Sequence, residues 1–176
     1  MIIGHREVAW VGGVDQVNYN TVVKEFADLL KEDSNEEIVL QVTSFGGSTA
    51  IGYAFYDLVK HILKPKLRTV LLGEACSMGV ILFLAGDHRL VAPHGIMYFH
   101  QVTREYEKET VATRTFRAQE KWTDLLESHY AGIVSKASMG KLSSERVLDM
   151  TLKETVLSSR EIVQYGLAHD ILASIP

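Results

Sequence analysis

Residues 68–86 read RTVLLGEACSMGVILFLAG. The first apolar run, RTVLLG at 68–73, predicts a strand, and the second, which extends to about Ala85, predicts a helix that begins at Met78. Only the small residues EACS at 74–77 separate the two runs, so they predict a sharp turn. The sequence therefore places the hydroxyl of Ser77 at the junction of a strand and a helix.

The same arrangement occurs one unit earlier in the chain. EEIVLQV at 36–42 predicts a strand, SFGGS at 44–48 predicts a turn, and the residues from about Thr49 to Leu63 predict a helix that stops before Pro65. Two successive strand, turn and helix units predict an α/β fold in which the helices begin at the same end of their strands.

The remaining segments extend this pattern in both directions. They are a strand at 8–11 with a Gly12-Gly13 turn, an amphipathic helix within 20–32, strands at 86–93 and 95–102, an exposed polar ribbon at 103–111, a long helix at 116–137, a short helix at 143–150, a final helix opened by a capping box of Ser158 and Glu161 and ended by Gly166, and a strand at 167–175. The long helix carries apolar residues at near-heptad spacing. This spacing fits either packing along a second helix, which could belong to another subunit, or an ordinary core-facing helix.

Length and composition restrict the class of protein. With 176 residues, of which 47% are hydrophobic and 23% charged, the chain suits one globular domain over 1–176. A net charge of −4 without a basic stripe argues against nucleic acid as a partner. The longest apolar run is far too short to span a membrane, and the start lacks the layout of a signal peptide, so neither membrane insertion nor export is expected. The single cysteine, Cys76, excludes an internal disulfide, and we expect a cytoplasmic protein.

Ser77 has the surroundings that a nucleophilic serine needs. A strand-to-helix turn exposes its Oγ, the helix start supplies free N–H groups, and Gly79 leaves room for a substrate. The match to the Gly-x-Ser-x-Gly nucleophile motif is partial, because Ala75 stands where the first glycine would be. Taken alone, ACSMG is a weak signal, and a serine that merely caps the helix explains it better than a nucleophile does.

The SFGGS turn offers a second set of backbone donors at the equivalent end of the preceding strand. Its glycines Gly46 and Gly47 allow N–H groups to line a cleft and to stabilise an oxyanion. The turn lacks the Gly-Lys-Ser/Thr ending of a phosphate-binding loop. We therefore expect no metal ion and no cofactor.

A nucleophilic serine also needs a base, and seven histidines compete for this role. They are His5, His61, His88, His94, His100, His129 and His169. His100 follows the apolar residues IMYF and precedes the polar Gln101, so a ring at this position would lie at the rim of the sheet. Spacing in the sequence does not decide which histidine lies near Ser77.

Three segments, in order, carry a family resemblance. They are TSFGGSTAIGYAFYDLVK at 43–60, GEACSMGVILFLAGDHRLVAPHGIMYFHQV at 73–102 and LSSREIVQYGLAHDIL at 157–172. Their order and spacing resemble the signature blocks of ClpP, the proteolytic subunit of the Clp protease. The resemblance implies an α/β fold built as a crotonase-like stack of β-β-α units, with a handle at about 101–137 made of an extended ribbon and a long helix. It also implies a homo-oligomer of stacked heptameric rings.

The same resemblance implies a role for each matching residue. Ser77 would be the nucleophile and His100 the general base of a serine endopeptidase that cleaves peptides and unfolded proteins inside a ring chamber. The N–H groups of Gly46 and Met78 would hold the oxyanion, and Gly47 would lie beside them in the substrate-binding turn.

The third member of the triad departs from the family pattern. The catalytic aspartate of the family falls on Glu154, whose carboxylate, with one more methylene, can still orient a histidine. Asp149 remains a second candidate for this role.

Other departures concern the partners. Phe45 replaces the usual proline of the first block, the segment before Ile3 is much shorter than the pore-loop segment of the family, and an Asp-Arg pair linked to ring assembly is missing at Glu154 and Thr155. The resemblance implies a Clp ATPase unfoldase as a partner, and the short start argues against it. Assembly control is expected to differ from that of the family.

Three alternative interpretations remain open. The chain could be a catalytically silent ring subunit that supports an active partner. It could instead be a crotonase-type enzyme that acts on an acyl-CoA thioester without a serine nucleophile. Cys76 could serve as a nucleophile in its own right, although its position fits a small packing residue better.

Overall fold

The computed structural model describes residues 6–102 and 113–172. Within these residues the strands, in chain order, are β1 (Glu7–Val14), β2 (Ile38–Gly47), β3 (Leu67–Cys76), β4 (His88–Val91), β5 (Ile96–Tyr98), β6 (Val156–Ser158) and β7 (Asp170–Ile171). The helices are α1 (Gln16–Glu32), α2 (Thr49–Asp57), α3 (Met78–Leu84), α4 (Thr113–Ala137), α5 (Ser144–Leu152) and α6 (Ser159–Gln164), and a π-helical segment (Leu58–Leu63) continues α2.

The strands form one mostly parallel sheet. Its main path runs β1-β2-β3-β4-β7, and every pair along this path is parallel. Beyond the end of β4, the last residues of β3 pair with β5, which in turn pairs with β6 in antiparallel fashion. The predicted α/β class is therefore confirmed, and α2 and α3 both begin at the carboxyl ends of neighbouring strands.

Several predicted boundaries differ from those observed. The two predicted turns belong largely to strands, because β2 continues to Gly47 and β3 to Cys76, and Ser44 still pairs with Ala75 across a register shift. The predicted helix at 49–63 changes from α to π geometry after Asp57. The predicted strands at 95–102 and 167–175 are much shorter, and the polar ribbon at 103–111 lies outside the described residues.

Other predicted elements agree with the structure. The long helix is present as α4, and the capping box opens α6, where the carboxylate of Glu161 accepts hydrogen bonds from the N–H (2.8 Å) and Oγ (2.6 Å) of Ser158. Gly166 follows α6 with a φ of 73°, a backbone conformation that favours glycine.

The core lies on both sides of the sheet. On one side, Trp10, Phe26 and Phe55 are fully buried, and the ring of Phe55 meets the other two edge to face. Helix α3 is buried along its whole length. Because every residue of α3 packs against other parts of the chain, the turn that precedes it has a fixed position.

A buried guanidinium holds together the ends of three helices. Arg89 is only 7% exposed and donates hydrogen bonds to backbone carbonyls that follow or end α3, α4 and α6. The acceptors are Gly86 (3.1 Å), Ala137 (3.0 Å), Gly166 (3.3 Å) and Leu167 (2.6 Å). A cation is favourable there because the carbonyl groups at a helix C-terminus carry a partial negative charge and lack helical partners.

We expect Arg89→Met to lower the free energy of unfolding by about 3 kcal/mol, because four carbonyls at helix ends lose the hydrogen bonds that the guanidinium donates. Urea or thermal unfolding followed by circular dichroism measures this loss. Arg160→Met is the matched control, since Arg160 is exposed on α6. Equal stability of the two variants would contradict the proposed clamping role of Arg89.

Candidate active site

Ser77 occupies a strained turn between β3 and α3. Its φ is 52° and its ψ is −121°, a conformation that non-glycine residues rarely adopt. The turn is held by the Ser77 N–H, which donates to the carbonyl of Tyr98 (2.9 Å), and by the Ser77 carbonyl, which accepts from the N–H of Val80 (3.0 Å). The side chain of Ser77 makes no capping hydrogen bond to α3, so the helix-cap explanation of this serine does not apply.

The glycine turn at the end of β2 packs directly against Ser77. A Cβ atom on Gly46, whose φ is 93°, would lie 2.8 Å from the Cβ of Ser77 and 2.8 Å from the carbonyl oxygen of Cys76. A Cβ atom on Gly79 would lie 2.8 Å from the carbonyl oxygen of Ser44. Both glycines are therefore required for the two turns to approach each other this closely.

Backbone N–H groups lie at both turns. The N–H of Met78 belongs to the first turn of α3 and has no partner within the helix. The N–H of Gly46 donates to Oγ of Ser44 (3.1 Å), and the N–H of Ser48 donates to the carbonyl of Val14 (2.8 Å). The N–H groups of Gly46 and Ser48 therefore already have acceptors, whereas the N–H of Met78 has none within its helix.

A cavity of about 690 Å³ opens beside Ser77. Five of the six predicted site residues line it, namely Gly46, Gly47, Ser77, Met78 and His100. The remaining lining residues are Phe45, Thr49, Tyr53, Val102, Glu127, Tyr130, Leu148 and Thr151. This volume lies within the range of pockets that bind small ligands.

His100 follows β5 and is oriented by neighbouring backbone. Its Nδ1 lies 2.7 Å from the carbonyl oxygen of Gln101, which can only accept, so Nδ1 is the donor of this pair and, in a neutral ring, Nε2 is the acceptor. The ring lies against Tyr98, with 5.3 Å between ring centroids. An unprotonated Nε2 is the form that a general base needs.

Glu154 lies in the turn between α5 and β6, close to the segment that carries His100. Its φ is 52°, and the next residue, Thr155, accepts a hydrogen bond from the N–H of Phe99 (2.9 Å). The carboxylate lies beside the phenol of Tyr98, and the pKa of that phenol is raised, first by partial burial and then by the charge of Glu154. Within the part of the chain that the structure describes, Glu154 forms neither a hydrogen bond nor an ion pair with His100 and does not line the cavity.

Asp149, the other candidate acid, is bound to two cations. Its carboxylate pairs with Arg146 (2.6 Å) and with Lys153 (2.8 Å). The pKa of Asp149 is lowered, chiefly by its hydrogen bond to Lys153. These contacts hold the carboxylate on the solvent side of α5.

The thiol adjacent to Ser77 is not activated. Burial, followed by the carboxylate of Glu74, raises the pKa of Cys76 to about 11. The Sγ atom lies 3.6 Å from that carboxylate. Because the thiolate is the nucleophilic form, a thiol with this pKa is inert at neutral pH.

Helix α4 contributes residues that the sequence did not assign to the site. The hydroxyl of Tyr130 donates to the carbonyl of Ser77 (3.4 Å), and Glu127, one turn earlier, lines the cavity. In the sequence, Glu127 and Tyr130 are marked only by their positions, which lie four residues before the buried Ala131 and Val134 and therefore on the same face of the helix. That spacing identifies a buried face but not its distance from Ser77.

A second cavity, of about 840 Å³, lies on the other side of Tyr53. Tyr53 lines both cavities, and its hydroxyl donates to the carbonyl of Leu126 (2.6 Å), which joins α2 to α4. Neither Ser77 nor His100 lines this larger cavity. We therefore assign the candidate active site to the smaller cavity, which both residues line.

A model of the family described as Clp protease matches residues 1–174 of the 176 in the chain. The chain belongs to the Clp protease family. Its mostly parallel sheet with flanking helices is the ClpP fold, and the family consists of ClpP-type peptidases that act on peptide substrates and generally form rings. None of the described helices is long and apolar enough to cross a membrane.

We expect Gly46→Ala to disturb the site, because the added methyl would overlap Ser77 and the backbone φ is unfavourable for alanine. The labelling of Ser77 by a fluorophosphonate should slow by at least about tenfold, since small displacements of reacting groups have large effects on rate. Gly132→Ala is the matched control, because a Cβ there has no neighbour within 4 Å. Labelling of the Gly46→Ala variant at the wild-type rate would show that the close approach of the two turns is dispensable.

Proposed function

We propose that this protein is a serine endopeptidase that hydrolyses peptides and unfolded proteins, with Ser77 as the nucleophile and His100 as the general base. The observation that carries the proposal is the strained turn at Ser77, whose Oγ caps no helix and opens into the same cavity as His100. Strained backbone is typical of catalytic positions, because a side chain is held there in a conformation that the chain would not otherwise adopt.

In the proposed reaction, Nε2 of His100 takes the proton from Oγ of Ser77 as Oγ attacks the scissile carbonyl. The N–H of Met78 stabilises the oxyanion that forms, and the N–H of Gly46 joins it by exchanging Oγ of Ser44 for the substrate oxygen, with Gly47 beside it in the substrate-binding turn. His100 then returns the proton to the leaving amine. In the second half of the reaction His100 takes a proton from a water molecule as its oxygen attacks the acyl-enzyme, and returns it to Oγ of Ser77 as the ester bond breaks.

Glu154 is proposed as the acid that orients His100 and stabilises its protonated form. This assignment is supported by the hydrogen bond between Phe99 and Thr155, which brings the backbone on either side of Glu154 and His100 together. Asp149 is a poorer candidate, because Arg146 and Lys153 already neutralise it. In the catalytic state the His100 ring exchanges the Gln101 carbonyl for the Glu154 carboxylate.

The proposed assembly is a homo-oligomer of stacked heptameric rings that encloses the active sites. Three large apolar side chains of α4, Phe116, Trp122 and Leu125, are exposed in the single chain and support a contact with another subunit. A cytoplasmic location belongs to the same proposal.

A second candidate function is a silent ring subunit. It is favoured by one observation, namely that Nδ1 of His100 is bound by the Gln101 carbonyl and not by a carboxylate. The two functions differ in whether Ser77 reacts with an activated phosphonate.

We expect the wild-type protein to gain one fluorophosphonate adduct, mapped to Ser77, and expect Ser77→Ala and His100→Ala to abolish both labelling and peptide hydrolysis. Intact mass spectrometry and a fluorogenic peptide assay measure these outcomes. Ser128→Ala, at an exposed serine of α4, is the control and should behave as the wild type. A folded wild-type oligomer that forms no adduct would favour the silent subunit.

We expect Glu154→Gln to lower kcat by at least about tenfold, because a neutral amide stabilises the protonated imidazole poorly. Asp149→Asn carries the same change in charge and should change kcat less than about twofold, since it removes only exposed ion pairs. Steady-state kinetics on one peptide substrate compares the two variants. The reverse order of effects would transfer the role of the acid to Asp149.

A further inference from the structure

The cavity beside Ser77 contains one carboxylate. Glu127 is the only acidic residue among its lining residues, and no lysine or arginine lines it within residues 6–102 and 113–172. The neighbouring walls are largely apolar or aromatic, with Met78, Tyr130 and Leu148 among them. A single charge in such surroundings has a strong influence on which side chains can enter.

The position of Glu127 follows from the orientation of α4. Residues three, four and seven positions later, Tyr130, Ala131 and Val134, are buried, so Glu127 lies on the core-facing side of the helix. Hydrogen bonds fix α4 on both sides of it, through Leu126 to Tyr53 and through Tyr130 to Ser77. Glu127 therefore lies three residues, about 4.5 Å along the helix axis, from Tyr130, the residue that contacts Ser77.

Among residues 6–102 and 113–172, Glu127 has no ion-pair partner. In the described part of the chain its carboxylate forms neither an ion pair nor a hydrogen bond, whereas Asp149, on the next helix, is paired with two cations. The side chain of Glu127 is half-buried. A partly desolvated carboxylate without a partner gains most from a cationic group that enters from outside.

We propose that Glu127 makes this cavity a pocket for a basic side chain, so that the peptidase cleaves preferentially after arginine or lysine. The inference rests on the proposed function of Ser77. A long cationic side chain suits the site because its aliphatic stem can pack against Tyr130 and Leu148 while its charged end reaches Glu127. The planar guanidinium of arginine can bind a carboxylate through two parallel hydrogen bonds, so arginine should be the preferred residue.

The experiment compares two fluorogenic peptides that differ only in the residue before the cleaved bond, arginine in one and the nearly isosteric but uncharged citrulline in the other. For the wild-type oligomer we expect kcat/KM to be at least about tenfold higher for the arginine peptide. In Glu127→Gln this ratio should fall to about one, and in Glu127→Lys it should fall below one. Glu120→Gln, an identical change at an exposed position of α4, should keep the wild-type ratio.

The outcomes separate this inference from the proposed function. A wild-type protein that forms the Ser77 adduct but cleaves both peptides equally would overturn the specificity and leave the nucleophile in place. A wild-type protein that forms no adduct would overturn the proposed function itself. If Glu127→Gln slows both peptides by the same factor, Glu127 acts on the catalytic histidine instead of on the substrate, and the inference is wrong.

Discussion

The parallel pairing of β2 with β3 is the constraint on which the site depends. The ladder continues to Ser44 and Ala75, and beyond this pair the turns that follow the two strands pack closely against each other. Gly46 and Gly79 allow this approach, because a side chain at either position would overlap the opposite turn. This pairing therefore places three features at one edge of the sheet: the serine hydroxyl, the start of α3 and the glycine turn.

The strain at Ser77 is maintained by the elements around it. A positive φ at a residue with a side chain costs about 1–3 kcal/mol, and it persists only where the surroundings fix the backbone. Here the pairing of β3 with β5 holds the N–H of Ser77, and the fully buried α3 holds the residues that follow. Arg89, through the carbonyls that end three helices, stabilises the packing of α3 against α4 and α6.

The three carboxylates near the site differ in the groups that surround them. Asp149 has two cations, Glu154 lies next to a phenol, and Glu127 lines the cavity without an ion pair or a hydrogen bond among the described residues. These differences support three different proposed roles: a surface ion pair, an acid that orients the histidine, and a determinant of specificity. The sequence does not reveal which residue has which role, because all three are ordinary acidic residues of helices or turns.

The sequence by itself determined the α/β class, the two strand and helix units around the glycine turn and Ser77, and the capping box at Ser158, because local periodicity and turn chemistry decide these features. The same motifs carried the family resemblance that pointed to His100. Only the tertiary structure decided that β2 and β3 continue through their predicted turns, that the Oγ of Ser77 caps no helix, and that Tyr130 and Glu127 of α4 lie at the site. These features depend on strand register and helix packing between residues far apart in the chain, and spacing along the sequence does not encode such distances.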